Sequence, residues 1–216
     1  MLRVEPGQQF EISDNHGAWL AEIAEARGER VVFRVIEPIE SPPFPVRLTL
    51  VAALVKFERF EWMIEKATEL GVERILPMAA ARTEKGLFEA SRKRAARWRR
   101  IAREASQQSR RTSLPEILPS AGFESCLATP VAYRFFMDEC GAPPFLSLLP
   151  PSRTAGDQVA IMLGPEGGWT DPERQSAAAA GWMAASLGPL ILRAETAAAA
   201  ALAAAGNAWL AAKSLQ

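Results

Sequence analysis

Histidine is nearly missing from this chain of 216 residues, and His16 is the only one. That leaves almost no room for imidazole-based triads or histidine-rich metal centres. His16 itself falls in Asp14-Asn15-His16-Gly17, a hairpin-turn composition in which an imidazole is solvated. Cysteine is scarce too: Cys126 and Cys140 have neither metal-site spacing nor the makings of a disulfide framework, so no metal is expected. No apolar run reaches the roughly eighteen residues of a membrane span. Met1–Glu5 lack a signal-peptide layout. These absences predict a cytoplasmic protein with no membrane partner. Phosphate-binding fingerprints are missing as well, since the one glycine-rich loop after an apolar run matches neither the dinucleotide-binding pattern nor the Lys-Ser/Thr ending of a P-loop. Whatever chemistry the chain performs must draw on carboxylates, arginine, lysine, backbone dipoles or a bound cofactor.

Net charge is also absent, but only in total. Between Arg82 and Arg111 eleven basic residues face Glu84, Glu89 and Glu104, so this segment carries +8 and the remainder −8. Such a positive patch is the footprint of a nucleic-acid contact. Trp98 is the one aromatic within Arg92–Arg111, so phosphate contact is better supported than base stacking. A solvated helix face is the plain alternative.

The pattern along the chain changes once. Gln8–Ile12, Ala18–Ala24 and Arg30–Ile36 read as short strands, with turns at Asp14–Gly17 and Arg27-Gly28-Glu29. A meander this short cannot close a core alone and reads as part of a small barrel lacking a strand. Ser41-Pro42-Pro43-Phe44-Pro45 is a stiff linker and marks a domain boundary. Beyond it strands and helices alternate, which indicates a mainly parallel α/β sheet. Strands are expected at Arg47–Val55, Val72–Met78, Val131–Met137, Val159–Leu163 and Met183–Leu187. Helices are expected at Glu58–Leu70, with Phe60, Met63, Ile64, Ala67 and Leu70 as its inner stripe, and at Arg92–Ser109, Pro172–Ala180 and Glu195–Ala212. Thr170 and Glu173 have the spacing of a capping box, with Pro172 in the first turn.

Two elbows carry the candidate site. Strand Val159–Leu163 runs into Gly164-Pro165-Glu166-Gly167-Gly168, and the apolar run ending at Leu187 runs into Gly188-Pro189-Leu190-Ile191-Leu192-Arg193. Two Gly-Pro bends ending on Arg193 and Glu195 at one sheet edge form a pocket walled by backbone. Its lone loop acid, Glu166, disfavours a phosphate and favours a neutral or cationic ligand.

Three stretches then become recognisable together. Met162–Trp169, Leu187–Ala197 and Glu61–Val72, supported by Trp98–Arg111, resemble the bacterial 16S ribosomal RNA (uracil-N3)-methyltransferases of the SPOUT superfamily. The resemblance spans nearly the whole chain. It implies a PUA-like β-barrel for RNA over residues 1–42 and a SPOUT domain over 46–216, whose parallel sheet, flanked by helices, carries a deep trefoil knot. It also implies a homodimer acting on 16S rRNA of the 30S subunit. S-adenosylmethionine, a sulfonium without phosphate, is the implied methyl donor, held by Leu163, Gly164, Pro165, Glu166, Gly167 and Gly168 from one loop. Leu187, Gly188, Leu190, Ile191, Leu192, Arg193 and Thr196 complete that site.

The implied reaction methylates N3 of a flipped or unpaired uridine. Arg193 is expected to stabilise charge on the uracil carbonyls. Glu166 or Glu195 would take the N3 proton or orient that arginine, and both assignments stay open at this point. Lys85, Lys93, Arg97, Arg100, Arg110 and Arg111, with Arg82, Lys56 and Arg59, are expected to hold RNA phosphates. The chain departs from the family at Leu190, where arginine is usual, and at Ala194, where threonine is usual. Its first residues, Leu2–Gly7, match a point some way into the family's barrel. Another SPOUT enzyme acting on ribose 2′-O, and a non-catalytic RNA-binding or assembly protein, are the alternatives.

Overall fold

The computed structural model describes residues 4–28, 30–40 and 44–213. Strands β1 (Gln9–Ser13), β2 (Ala18–Arg27) and β3 (Arg30–Ile39) form an antiparallel sheet in sequential order. Asp14 sets the first turn: its Oδ1 accepts from the N–H groups of Gly17 and His16, and Asn15 adopts φ 77°. Those two backbone donors hold the Asp14 carboxyl below its usual pKa. His16 is exposed, as a turn histidine should be. In this sheet Ala21 and Ile23 are buried while Phe33, Val35 and Ile36 remain exposed, so the described strands form an open sheet. Glu29 of the second turn, Ser41-Pro42-Pro43 of the linker and Met1–Arg3 lie outside the described residues.

Past the linker stands a parallel sheet of seven strands. It comprises β4 (Arg47–Ala53), β5 (Arg74–Ala79), β6 (Glu116–Ile117), β7 (Ala121–Gly122), β8 (Tyr133–Met137), β9 (Gln158–Leu163) and β10 (Met183–Ala185). Their order is β10-β8-β9-β4-β5-β6, with β7 also pairing β5. Helices α1 (Phe57–Glu69), α2 (Leu87–Ser91), α3 (Ala95–Gln108), α4 (Phe123–Leu127), α5 (Asp171–Ala179) and α6 (Ala194–Lys213) complete it.

Period-two alternation along β4 divides the core between two layers. Leu48, Leu50 and Ala52 join the inner stripes of α1, α3 and α6, whereas Val51 and Ala53 join Phe123, Trp169 and Trp182 on the other face. Phe60, Met63, Ile64 and Ala67 of the expected stripe are buried, Leu70 is half-buried just past the end of α1, and Trp98 of α3 packs inward on Phe60 with ring centroids 4.9 Å apart. The expected helix at Arg92–Ser109 is shorter. Arg92–Arg94 form a 3-10 turn and α3 starts at Ala95, because three cations in a row oppose the positive end of a helix dipole. The two-residue strands β6 and β7, and the five-residue helices α2 and α4, are too short for periodicity to reveal.

Helices α1 and α3 end in the same way. At the end of α1, Gly71 adopts φ +84°, its N–H reaching Thr68 O while that of Val72 reaches Ala67 O. This paired closure needs a left-handed residue. The end of α3 repeats it: Arg111 N reaches Ser106 O, but Arg110 rather than glycine takes the left-handed position, at φ 54°. The Nη1 of Arg111 donates to Thr68 O at 2.7 Å and Val72 O at 2.9 Å, tying the two ends together. Burial pushes the Arg111 pKa down.

The C-terminal segment crosses the chain between β8 and β9 at both ends. Near its start Ser186 N donates to Pro143 O and Phe145 N to Ser186 O, both at 2.8 Å. Near its end Arg153 Nε donates to Ala208 O at 3.1 Å, and Trp209 Nε1 to Asp157 Oδ2 at 2.9 Å. A tail fastened to both ends of one crossover is the arrangement that threading demands. Its slimness fits: Ala198, Ala201, Leu202 and Ala205 are buried along one side of α6.

Gly71 offers a direct test of packing. A Cβ there would meet the Phe44 ring at 2.5 Å, whereas at Gly86, with φ +86°, it would meet nothing within 4 Å. Gly86→Ala should cost about 1 kcal/mol of backbone strain. Gly71→Ala should cost about 1–3 kcal/mol more, because Phe44 must move. Urea denaturation of the two variants reads the difference.

Candidate active site

β9 and β10 flank β8 in the sheet, so the loops that leave them bracket the end of β8. This is where open α/β sheets bind ligands. The first loop turns at Pro165, whose carbonyl accepts from Gly168 N at 2.9 Å. It is pinned by Trp169, buried, stacked on Phe136 at 4.3 Å and donating Nε1–H to Met137 O at 2.8 Å. A Cβ on Gly164 would lie 2.8 Å from that indole, so the backbone of Gly164 must pass bare.

Helix α5 then starts with the capping box that its sequence predicts. Glu173 N donates to Thr170 Oγ1 at 3.4 Å and Thr170 N to Glu173 Oε2 at 2.8 Å. The other oxygen of Glu173 accepts Ala81 N at 2.8 Å, which joins the loop after β5 to this helix. Arg174 reaches back to Asp138, Nε to Oδ2 at 2.7 Å and Nη2 to Oδ1 at 3.2 Å, and Nη1 donates to Trp169 O. Asp138 is only 7 % exposed. Hydrogen bonding to Asp138 outweighs the lowering effect of burial and, with the charge of Asp138, leaves the Arg174 pKa raised, so the guanidinium stays charged.

The second elbow starts at Ser186, whose Oγ accepts Gly188 N at 3.2 Å. Gly188 has φ +128°, a conformation that favours glycine. The strand expected through Leu187 therefore ends early, at Ala185. Leu190 and Ile191 stand 77 % and 86 % exposed.

Between the elbows lies a cavity of about 330 Å³, within the range of small-molecule sites. Of the residues expected there, Leu163, Gly164, Pro165, Glu166 and Gly168 line it, as do Leu187, Gly188, Leu190, Ile191, Leu192 and Arg193. Gly167 and Thr196 do not: Gly167 faces the Arg82 side chain and Thr196 is exposed on α6. Glu195 also lies off the lining, in the first turn of α6, with a buried Oε2 that has no hydrogen-bond partner.

Three charged lining residues were not expected in the pocket. Arg59 enters from α1 and pairs with Glu166, so a residue expected on RNA meets one expected in the pocket. Asp138 and Glu139 continue β8 into the cavity. The only sequence signal for them is a pair of acids directly after an apolar strand, at its carboxyl end.

The basic residues divide by what they touch. Arg82 donates to Gly167 O at 2.7 Å and Trp169 O at 3.3 Å, bracing the glycine loop. Arg97 pairs with the half-buried Glu61 at 2.7 Å. Arg111 is committed to the end of α1. Lys56, Lys85, Lys93, Arg100 and Arg110 are exposed. Among the described residues Arg100 approaches only Glu104, at 3.7 Å.

Residues 42–206 match the family described as RNA methyltransferase domain. Over 94 % of its length the chain is 34 % identical to Ribosomal RNA small subunit methyltransferase E of Synechocystis, covering 67 % of that protein. The chain belongs to the small-subunit ribosomal RNA methyltransferase E family. The Bacillus subtilis member is 31 % identical across 91 % of the chain and 80 % of its own length. A family member from Neisseria gonorrhoeae, solved bound to S-adenosyl methionine, superposes with TM-score 0.86 at 30 % identity, over 95 % of this chain and 85 % of its own. A putative methyltransferase from Legionella pneumophila, in complex with the bound cofactor SAM, gives 0.83 at 27 % identity, over 97 % and 85 %. The fold of these relatives, parallel sheet included, thus extends over nearly the whole chain.

The Arg174–Asp138 pair fastens the first elbow to β8, and breaking it strands a buried acid. Arg174→Leu should destabilise the protein by about 2–4 kcal/mol. Asp138→Asn with Arg174→Leu should cost less than the two single changes summed. A double-mutant cycle from chemical denaturation checks this.

Proposed function

We propose that the protein methylates N3 of an unpaired uridine in 16S rRNA, with S-adenosylmethionine as donor. The carrying observation is the cavity between the two glycine-proline elbows. It is walled by backbone that the Gly164 and Gly168 positions keep bare, it has acids on its lining, and it has no phosphate-binding lysine. Those features suit a sulfonium and disfavour a nucleotide phosphate. The relatives solved with this donor support the choice. When bound, the donor supplies a methyl group already electrophilic through its sulfonium.

The protein's work is then alignment and removal of the N3 proton. Arg193 lines the cavity and is exposed, free to meet the uracil carbonyls as charge develops. Glu166 also lines the cavity and is the acid able to accept the proton. Its pairing with Arg59 holds it until RNA phosphate competes for that guanidinium. Glu195, off the lining, is a positioning residue for Arg193.

Residues 1–42 and the exposed face of α3 form the RNA surface in this reading, and residues 46–216 carry the chemistry. Ser13 Oγ donates to Thr112 O at 2.6 Å and Leu114 N to Asn15 Oδ1, so the β1–β2 turn is strapped to the end of α3. Lys56, Lys85, Lys93, Arg100 and Arg110 are the phosphate contacts. The strained backbone of Arg110 supports its place among them, since glycine would close α3 more comfortably. A homodimer covers Leu190 and Ile191, apolar side chains otherwise left in water beside the site. No described helix is long and apolar enough to cross a membrane, and with a ribosomal substrate the protein acts in the cytoplasm.

Incubating the protein with donor and 30S subunits lacking the modification should yield N3-methyluridine in 16S rRNA by mass spectrometry. A ribose 2′-O-methyl product would refute the assignment. Arg193→Ala should lower kcat by about 100-fold or more when measured at saturating donor. Arg110→Gly should stabilise the fold by about 0.5–1 kcal/mol yet weaken RNA binding and flatten its salt dependence by close to ~1 charge. Arg111→Ala should do the reverse, losing stability with little change in salt slope.

A further inference from the structure

The cavity holds one carboxylate that neither the packing nor the proposed chemistry uses. Asp138 is spent on Arg174 and Glu166 on Arg59. Glu139, at the end of β8 between the two elbows, lines the cavity and forms no ion pair among the described residues. Its place is built. Asp138 N donates to Ala185 O at 2.9 Å, Gly141 N closes a turn on Glu139 O at 3.2 Å, and Glu139 Oε1 lies 2.8 Å from where a side chain on Gly168 would begin. A bare Gly168 therefore makes room for this carboxylate as well as for the turn. With the other acids paired, Glu139 and Arg193 are the uncompensated charges on the lining.

We propose that Glu139 is the specificity residue that makes the cavity prefer the cationic methyl donor over the neutral product. The inference rests on the donor proposed above. On transfer the carbon–sulfur bond breaks, its electron pair stays on sulfur, the methyl joins N3 and the N3 proton passes to Glu166. The ligand left behind is a thioether, one positive charge poorer. Glu139 is exposed at the cavity lining, and a carboxylate there stabilises the cationic donor and not that product. Donor thus displaces spent product without any change in protein conformation.

The test is calorimetric titration of the whole protein, without RNA, against S-adenosylmethionine, S-adenosylhomocysteine and sinefungin, whose protonated amine replaces the sulfonium. Glu139→Gln should raise Kd about tenfold for the two cations and leave that of S-adenosylhomocysteine within about twofold. Glu139→Asp, which keeps the charge, should keep the preference. Ligand-free melting of both variants should match the wild type. Equal weakening for all three ligands would overturn the proposal, since Glu139 would then grip a part they share, and so would no change at all. A wild-type protein that binds none of the three would instead overturn the donor itself.

Discussion

The packing of one indole governs the site. Trp169 stacks on Phe136 of β8 and hydrogen-bonds to Met137 O, and this joins the loop after β9 to the neighbouring strand's end. Gly164 must be bare because that ring lies against it, and Gly168 must turn back because the chain has to deliver Trp169 inward. Thr170 then caps α5 at once, and α5 carries Arg174 to Asp138. Each step leaves the next with little freedom. The elbow is rigid before any ligand arrives, and such preorganisation is what lets backbone groups bind without an ordering cost.

Charge in this protein divides between holding and reaching. Arg82 and Arg111 look like candidates for phosphate in the sequence, yet they spend donors on the glycine loop and the end of α1, just as Arg174 spends its own on a buried carboxylate. The planar fork of arginine suits this work, since several donors leave one group in fixed directions. A basic segment's net charge therefore overstates what remains for RNA. The exposed remainder still clusters on α3 and its flanks, so the patch survives with fewer members.

Much of the architecture was legible because it rests on local rules. The stripe Phe60, Met63, Ile64 and Ala67, the Thr170–Glu173 box and both elbows are each set by residues within a turn or two of one another. What was illegible depends on partners far along the chain. Asp138 and Glu139 matter because β8 lies between β9 and β10, a fact of strand order with no local signature. Gly167 and Thr196 belong to the same motifs as the lining residues but point elsewhere, since neighbours in a turn or a helix do not share one side. The Arg59–Glu166 pair spans more than a hundred residues of sequence and follows from α1 starting beside the first elbow.

The alanine-rich tail links site and topology. The same segment that supplies Leu187 to Arg193 to the cavity continues as α6, fastened at Ala208 and Trp209 to the chain between β8 and β9. Small side chains at Ala198, Ala201 and Ala205 let it lie close to the sheet, and Gly206 leaves 3.3 Å between its missing Cβ and the Phe44 ring. Half of the cavity wall therefore exists only when the tail is docked. Its contacts are distant in sequence, so their closure entropy must be met late in folding. If the proposed donor binds at the second elbow, it also stabilises the docked tail by mass action, and ligand affinity is then coupled to the docking of that tail.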